Sequence, residues 1–455
     1  AENKTPYGSE SIIRDIGFTG VLGYTYDDRF LADLTIRENA SSQFGADNRW
    51  GLFWSAGIGW NVHNEKFMQE LDWVKQLKIR GSVGTTGSQS FESYQTIATY
   101  KYYTDVSYAG MLGAYVMRLA NNNLKWQEKM DYNAGIDARL WKFSLTFDYY
   151  ESITDNLIVD LSLPTSVGFS SVKENIGKIK NYGFDIALTY NIFSNTNGFL
   201  NLTGSMTTNK NKIMKLSDAM RAFNERQDEL VSTKLEGGRS KPVLRYVEGG
   251  SLNSIWAVPS LGINPANGRE IYVRPDGTTT YTWQASDQQI VGNSQEKFRG
   301  NFGFNGEYKG FGLSVTSRFT AGGDYYNQTL VDKVENANLN QNVDRRILYG
   351  RWSETNKNAP FKTLQPYNDA NGNYIAAPKT EPTSRFVQRK NEITISSISA
   401  WYDWRNRIWL DKAGISRLKL AFNMNDVCTI STIKMERGTS YPFARTMSFS
   451  LAVEF

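Results

Sequence analysis

The chain has 455 residues, of which 13% are aromatic and 40% hydrophobic, and its 51 basic residues are interspersed with 46 acidic ones. This mixture contains no basic stripe for nucleic acid, and no apolar run reaches the 18 residues of a transmembrane helix. The single cysteine, Cys428, excludes an internal disulfide and a cysteine-based zinc site. The single histidine, His63, leaves no partner for a multi-histidine metal site and argues against a Ser–His enzyme.

The chain opens with a predicted hairpin. Residues 19–26 and 30–37 alternate apolar and polar side chains on either side of Asp27-Asp28, which predicts two strands joined by a two-residue turn. A third strand, rich in Trp and Gly, is predicted over 50–62. Residues 63–74 predict a short amphipathic helix because their apolar residues recur at helical spacing.

Alternating segments continue to the last residue and bring the total to thirteen strands. The others are predicted at 77–83, 134–140, 145–149, 184–192, 200–206, 302–308, 311–319, 388–402, 415–425 and 442–455. In the last one, Met447, Phe449, Leu451, Val453 and Phe455 share a face and small or polar residues fill the other. A soluble sandwich could contain such a strand, but an outer-membrane barrel requires this pattern. A terminal Phe also resembles the signal read by the bacterial barrel-assembly machinery.

The connections alternate in length. The short ones are centred near 27–28, 141–142, 193–198 and 309–310, and the long ones cover 87–127, 154–177, 212–296 and 323–387. Short turns on one side and long loops on the other are typical of outer-membrane barrels, with the short side periplasmic. The connection 212–296 is predicted to contain a charged helix near 216–235. The strand-like segment 250–262 is placed in that loop, because an additional span would break the parity of the count.

The predicted fold is therefore all-β, a transmembrane antiparallel β-barrel with about thirteen strands here and long extracellular loops with short helices. Several short motifs recur in order along the chain: Phe44-Gly45, Asn48-Arg49-Trp50-Gly51, Trp60-Asn61, 77–82, Asn123-Leu124-Lys125-Trp126, Asn175-Ile176-Gly177, Asn181-Tyr182-Gly183, Val291-Gly292, 304–311, Arg351-Trp352, Arg385-Phe386-Val387 and Tyr441-Pro442. Together this set resembles the SusC/RagA-like TonB-dependent transporters of Bacteroidota.

The resemblance implies a 22-stranded barrel that is filled by an N-terminal plug, energised by TonB–ExbB–ExbD through that plug, and capped by a SusD-like lipoprotein. On this resemblance we expect residues 1–455 to be the C-terminal part of the barrel, and we expect the signal peptide, TonB box, plug and first nine strands to lie outside them. An open thirteen-strand sheet in lipid leaves unpaired backbone groups at two edges, each costing several kcal/mol. We therefore expect the remaining plug and barrel segment to be a partner, alongside lipid or lipopolysaccharide, and we expect no nucleic acid and no cofactor.

The predicted function is active uptake of oligosaccharides or peptides. A passive pore and a structural or adhesin barrel remain alternatives, whereas an enzyme is not expected. Aromatic residues of the long loops suit stacking on sugars, although they equally suit loop packing: Tyr103, Trp256, Trp283, Tyr325 and Tyr326 are the predicted substrate-binding residues. Asp276 and Asp324 suggest calcium, but Asp in turns more commonly caps the local backbone.

Overall fold

The computed structural model describes residues 12–45, 48–88, 98–118, 125–162, 171–216, 218–232, 241–340, 342–364, 366–368, 374–375, 379–405, 407–434 and 445–455. In chain order the strands are β1 (Asp15–Tyr26), β2 (Phe30–Ser41), β3 (Trp50–Asn61), β4 (Val74–Ser88), β5 (Thr99–Tyr108), β6 (Met111–Arg118), β7 (Gln127–Leu140), β8 (Phe143–Ser162), β9 (Ser171–Asn195), β10 (Gly198–Thr207), β11 (Lys210–Lys215), β12 (Ser254–Ala257), β13 (Ser260–Ile263), β14 (Glu270–Val273), β15 (Thr279–Thr280), β16 (Gln289–Asn293), β17 (Phe298–Tyr308), β18 (Phe311–Tyr326), β19 (Tyr367–Asn368), β20 (Tyr374–Ile375), β21 (Val387–Arg405), β22 (Arg417–Ser431) and β23 (Thr446–Glu454).

Helices are short apart from one. The α-helices are α1 (Asp218–Ser232), α2 (Gln328–Leu330), α3 (Arg346–Tyr349) and α4 (Ile408–Asp411). Helix α1 confirms the charged helix predicted near 216–235. Single turns of 3-10 helix lie at Val62–Asn64, Ala285–Asp287 and Ser384–Phe386, and a π-helical turn covers Val331–Glu335. Within the described residues, no helix combines the length and the apolar character needed to cross a membrane.

One antiparallel sheet, which we call the wall, contains the thirteen predicted spans. Its neighbours follow the order β1-β2-β3-β4-β7-β8-β9-β10-β17-β18-β21-β22-β23, and β11 pairs with β9 beyond the end of β10. Each span pairs with the next span of the wall, both where a short turn joins them and where a long loop does. Strands β1 and β23 each have one neighbour among the described strands, so the wall is an open part of a barrel, as predicted.

The two faces of the wall differ as the alternation predicts. Cross-strand pairing places Leu22 opposite Leu34, Ile79 opposite Ile136, and Phe422 opposite Phe449 on one face. Many residues of this face are exposed, with Ile58 at 71% and Phe449 at 75%. Apolar side chains that are exposed in continuous rows form the surface that a barrel presents to lipid.

The opposite face carries charged groups that pair with one another. Arg80 of β4 donates hydrogen bonds to Asp137 of β7 at 3.0 Å and to Asp148 of β8 at 2.7 Å. Gly135 lies between the guanidinium and the Asp148 carboxylate, in space that a side chain would fill. Because Gly135 has no side chain, the Arg80 side chain can extend from β4 across β7 to β8. The paired charges on this face suit a water-filled lumen.

The short turns require left-handed backbone. Asp27 and Asp28 have φ of 49° and 50°, Trp141 has φ of 50°, and Lys309 has φ of 50°. At Asp27-Asp28 and at Lys309-Gly310 two consecutive residues have positive φ, which gives the turn that matches the twist of a two-stranded hairpin. These turns confirm the predicted connections at 27–28, 141–142 and 309–310.

Two local predictions were wrong. Residues 63–74 form no α-helix, because a 3-10 turn at Val62–Asn64 continues into turns with i→i−3 hydrogen bonds at Met68, Leu71 and Val74. The connection predicted at 154–177 is largely strand, since β8 and β9 pair as far as Ser162 and Ser171. In this second case cross-strand hydrogen bonds extend beyond the apolar segment, where alternation no longer identifies a strand. The long connection 87–127 lies outside the wall, as predicted, and contains a separate hairpin, β5–β6.

Candidate functional site

Two long connections fold together into one unit, which we call the loop layer: the described residues within 216–297 and 327–386. Its small sheets are β12–β16 and β13–β14–β15, so the segment 250–262 lies outside the wall, as predicted. Ser384 N donates to Val258 O at 3.0 Å, and Thr363 N donates to Gly268 O at 2.9 Å. Because these bonds connect the first loop with the second, the two loops form one surface.

The loop layer has its own apolar core. Its buried members are Val331, Val334, Ile347, Phe361 and Phe386, with Tyr326 of β18 packed against them. A second cluster of Ile213 and Met220 anchors helix α1 to strand β11. Burial of apolar area supplies most of the stability of such a unit, so the layer is held in a defined position beside the wall.

A buried ion cluster crosses this core. Arg385 Nη2 lies 2.9 Å from Glu270 Oε2 and 2.5 Å from Glu335 Oε1. Thr383 donates to Glu270 at 2.6 Å, and Thr380 donates to Glu335 at 2.9 Å. A buried carboxylate is tolerated only when it is paired and hydrogen-bonded; Glu270 meets both conditions with its two oxygens, and Glu335 meets them through Oε1.

Two further cations lie in the same region. Arg351 donates to the carbonyl oxygens of Glu335 at 2.6 Å and Lys362 at 3.0 Å, which closes the turn around the π-helical segment. Burial lowers the pKa of Lys362 to about 8, against the opposing attraction of Glu335 and Glu270. Arg351 and Arg385 belong to the motifs Arg351-Trp352 and Arg385-Phe386-Val387, so these two sequence motifs have a structural role in the loop layer.

A cavity of about 250 Å³ opens between the loop layer and the C-terminal end of β18. It is lined by Lys241, Pro242, Val243, Leu244, Leu252, Asn253, Ser254, Ile255, Ser294, Asp324, Tyr325, Tyr326 and Gln328. Its walls combine aliphatic side chains, two aromatic rings and charged groups of both signs. Such a mixture binds an organic molecule by contact with apolar surface and by a few placed polar groups.

Neighbouring contacts hold the cavity in shape. Asp324 accepts a hydrogen bond from Asn293 N at 2.9 Å, which joins β18 to β16. Gly292 allows this approach, because a Cβ there would lie 3.0 Å from Asp324 Cβ and 3.0 Å from Val387 Cγ1. At the end of β18, the side chain of Asn327 accepts from Leu330 N at 3.0 Å and caps helix α2.

The structure brings together two of the five predicted substrate-binding residues. Tyr325 and Tyr326 both line the cavity. Trp256 is buried in β12, with the Arg245 guanidinium 5.4 Å from its ring. Trp283 donates from Nε1 to Pro382 O at 3.0 Å and so joins the two loops. Tyr103 lies in the β5–β6 hairpin, away from the cavity, with its ring 5.1 Å from that of Tyr115.

The loop aspartates act locally. Asp276 accepts hydrogen bonds from both the backbone N and the hydroxyl of Thr278, at 2.9 and 2.6 Å, which confirms the turn-capping interpretation. These bonds hold the pKa of Asp276 below its usual range. In the described part of the chain, no three His, Cys, Asp or Glu residues converge as a metal site.

Sequence reasoning missed Lys241 and Gln328 as cavity residues and Glu270 and Glu335 as buried acids. Lys241 follows a stretch of varied polar residues, and neither Glu belongs to an alternating pattern. The only available signal was the pair of arginine-containing motifs, which have now been located beside the two acids. Residues that are buried by contact between distant loops do not recur at a regular spacing in the sequence, so periodicity does not identify them.

An open antiparallel wall with an apolar outer face and a folded loop layer defines a part of an outer-membrane β-barrel. Comparison with known proteins identifies the class. The family described as "TonB dependent receptor-like, beta-barrel" matches residues 5–229. This match covers just under half of the chain, which is therefore similar to these receptors as a portion of an outer-membrane β-barrel.

Individual relatives extend the similarity along nearly the whole chain. TonB-dependent receptor P3 of Formosa agariphila is 26% identical, over 96% of this chain and 45% of that protein. TonB-dependent receptor SusC of Bacteroides thetaiotaomicron is 24% identical, over 89% of this chain and 39% of that protein. Among solved structures, the RagAB peptide transporter superposes with a TM-score of 0.78 at 21% identity, over 92% of this chain and 44% of that one. The chain thus spans less than half the length of these relatives.

Proposed function

We propose that this chain supplies the larger part of the barrel wall of an active importer, which uses TonB to take up oligosaccharides or peptides across the outer membrane. The observation that carries the proposal is the combination of an open wall with a folded loop layer that encloses a cavity. The similarity to TonB-dependent receptors, including SusC, supports the energised mechanism.

The open wall requires completion. Strands β1 and β23 each present a row of backbone N–H and C=O groups to the membrane, since each has one neighbour among the described strands. Each unsatisfied group in hydrocarbon costs several kcal/mol, and roughly five such groups per edge outweigh the stability of a typical fold. The proposal therefore includes further barrel strands that pair with both edges and an internal plug through which TonB–ExbB–ExbD acts, with residues 1–455 as the C-terminal part of the barrel.

The cavity limits how cargo is held. Pockets for drug-sized ligands usually measure roughly 300–1,000 Å³, so a cavity of about 250 Å³ accommodates one sugar ring or one peptide side chain. Tyr325 and Tyr326 supply aromatic surface, and Lys241 supplies a cation. In this proposal the cavity binds one unit of a longer cargo, while the rest contacts the lumen and a SusD-like lipoprotein on the outside.

Uptake measurements test the proposal. Cells that lack this protein are compared with wild type for import of labelled oligosaccharides and labelled peptides, with and without a functional TonB. We expect import of one cargo class to require both this protein and TonB, and we expect a SusD-like lipoprotein to co-purify. Import that persists without TonB and without the lipoprotein would instead indicate a passive pore, and no import of either class would indicate a structural or adhesin barrel.

A point substitution tests the cavity. Tyr325→Ala is expected to reduce import severalfold at limiting cargo, because it removes aromatic contact surface from the lining. Tyr349→Ala is the matched control, since Tyr349 is 74% exposed on α3 of the same loop layer and lies outside the cavity. Equal import by both variants would remove the cavity from the proposal while leaving the transport role intact.

A further inference from the structure

A group of lysines lies on the wall immediately above its apolar surface. We call it the lysine cluster: Lys178 and Lys180 of β9, with Lys210 and Lys212 of β11. Pairing places Lys210 opposite Tyr182 and Lys212 directly opposite Lys180. Lys210 and Lys212 are exposed. Like charges directly opposite each other destabilise a sheet, and of this opposed pair only Lys180 has a carboxylate partner, Glu151.

The lysine cluster faces lipid rather than the loop layer. Side chains alternate along β9, which puts Lys180 on the same face as Phe184 and Leu188 of the apolar surface. The other face is occupied, because Asn211 Nδ2 donates to Asn181 at 3.0 Å and its oxygen accepts from Leu252 N of the loop layer at 2.9 Å. Loop residues thus cover the opposite side of β9 and β11, and the lysines point away from them.

The height of the lysine cluster matches the edge of the membrane. Counted from Tyr182, the outward residues of β9 run to Ile192 over about 33 Å of strand at roughly 3.3 Å per residue, which is roughly 25 Å along the membrane normal at a strand tilt of about 40°. An outward apolar band in such barrels is about 25 Å tall and is bordered by aromatic residues. Tyr182 lies at that border, and the lysines follow on the side of the long loops, which is the level of the outer-leaflet headgroups.

Local carboxylates neutralise only half of the positive charge. Lys180 pairs with Glu151 at 2.6 Å, and Lys178 pairs with Asp155 at 2.8 Å. Lys210 lies 6.0 Å from the centroid of the Tyr182 ring. Lys212 forms no ion pair with any residue that the structure describes. Two positive charges therefore remain at the headgroup level, beside an apolar surface that holds acyl chains.

We propose that the lysine cluster binds the phosphate group of an outer-leaflet lipid. The ammonium groups of Lys210 and Lys212 attract the phosphate as point charges, and the apolar residues below them contact the acyl chains. A basic cluster next to an apolar membrane surface is the chemistry by which proteins select anionic lipids. The bound phosphate also separates the opposed charges of Lys180 and Lys212, which stabilises the junction between β9 and β11.

The test uses protein extracted from outer membranes in mild detergent together with its native partners, and counts bound lipids by native mass spectrometry. The wild-type protein is expected to retain phosphate-bearing outer-leaflet glycolipid, and the double variant Lys210→Gln/Lys212→Gln to retain about tenfold less. The control variant Lys66→Gln/Lys412→Gln removes the same charge from exposed residues of the short connections and should retain the wild-type amount. Migration of the unheated protein on a gel confirms that each variant is folded.

Two further experiments identify the ligand. Lys210→Arg/Lys212→Arg keeps both charges and is expected to restore lipid retention if the glutamine variant fails to fold. Reconstitution with enzymatically dephosphorylated lipid is expected to lower retention to the level of the glutamine variant. Equal retention by wild type and glutamine variant, or by intact and dephosphorylated lipid, would overturn the proposal. So would displacement of the lipid by millimolar inorganic phosphate, because free phosphate would then be the ligand.

Discussion

Arg385 Nη2 lies 2.9 Å from Glu270 Oε2, although 115 residues separate them in the chain. The contact joins the loop after β11 to the loop after β18, and the side chains of Arg385 and Glu270 are 12% and 2% exposed. The same guanidinium also pairs with Glu335. One side chain therefore balances two acids and holds together the loop layer that shapes the cavity.

Removing this cation is expected to loosen the loop layer while leaving the wall folded. Arg385→Met leaves two buried carboxylates without a counter-charge, a change that costs about 3–5 kcal/mol. Backbone hydrogen exchange measured by mass spectrometry should accelerate in β12–β16 and in 327–335, and should remain slow in β17 and β22. Arg345→Met is the control, because Arg345 is exposed in the same loop layer. Unchanged exchange in Arg385→Met would show that the ion cluster contributes nothing to the fold of the layer.

The same cluster makes the loop layer sensitive to acid. Burial raises the pKa of Glu270, but the charge of Arg385 and hydrogen bonds from Arg385 and Thr383 outweigh it, so the pKa lies below the ordinary value of about 4.3. A carboxyl group with a lowered pKa stabilises the folded state above its unfolded pKa and loses that contribution as pH falls through the folded one. We expect the stability of the loop layer to be constant from pH 7 to 5 and to fall below pH 4. The measurement is hydrogen exchange in the loop layer, corrected for the intrinsic pH dependence of exchange. Glu270→Gln should show a weaker loss below pH 4, and an equal loss would contradict the assignment.

The buried Lys362 predicts a second pH dependence of loop-layer stability, at alkaline pH. Burial lowers its pKa to about 8, whereas an unfolded lysine titrates near 10.4. The folded layer therefore carries the full cost of the buried charge below pH 8, and this cost disappears as pH rises towards 10.4. We expect the stability of the wild-type loop layer, followed by urea titration, to rise between pH 8 and 10 relative to Lys362→Met. The exposed Lys357→Met should retain the wild-type slope, and an identical slope in all three proteins would exclude Lys362 as its origin.

A close approach between two strands explains one glycine of the motif Asn181-Tyr182-Gly183. Where β10 ends and β11 begins, Thr208 crosses β9, and a methyl group on Gly183 would overlap the Thr208 carbonyl oxygen. Gly183→Ala is expected to cost about 1–3 kcal/mol, as other overpacked sites do. The readout is the temperature at which the protein loses its compact migration on a gel. Gly204→Ala in β10 is the control, because a Cβ there meets no atom within 4 Å, and equal losses in both variants would show that the crossing at Thr208 is unimportant.

The sequence by itself determined the wall. Thirteen spans, their chain-order pairing and the turns at Asp27-Asp28 and Lys309-Gly310 follow from alternation with a period of two and from local turn chemistry. A side chain in a barrel wall meets either lipid or lumen, so each residue records its own environment. The positions of Leu22, Ile79 and Phe449 on the outer face needed no knowledge of distant residues.

Only the tertiary structure decided the loop layer. The pairing of Arg385 with Glu270, the meeting of Tyr325 with Lys241 at one cavity, and the structural roles of Trp256 and Trp283 depend on contacts between separate loops. The extension of β8 and β9 and the 3-10 turn at Val62–Asn64 likewise depend on neighbouring backbone. Which residues of a loop are buried depends on the segment that packs against the loop. That segment can be distant in the chain, so no local sequence pattern encodes the burial.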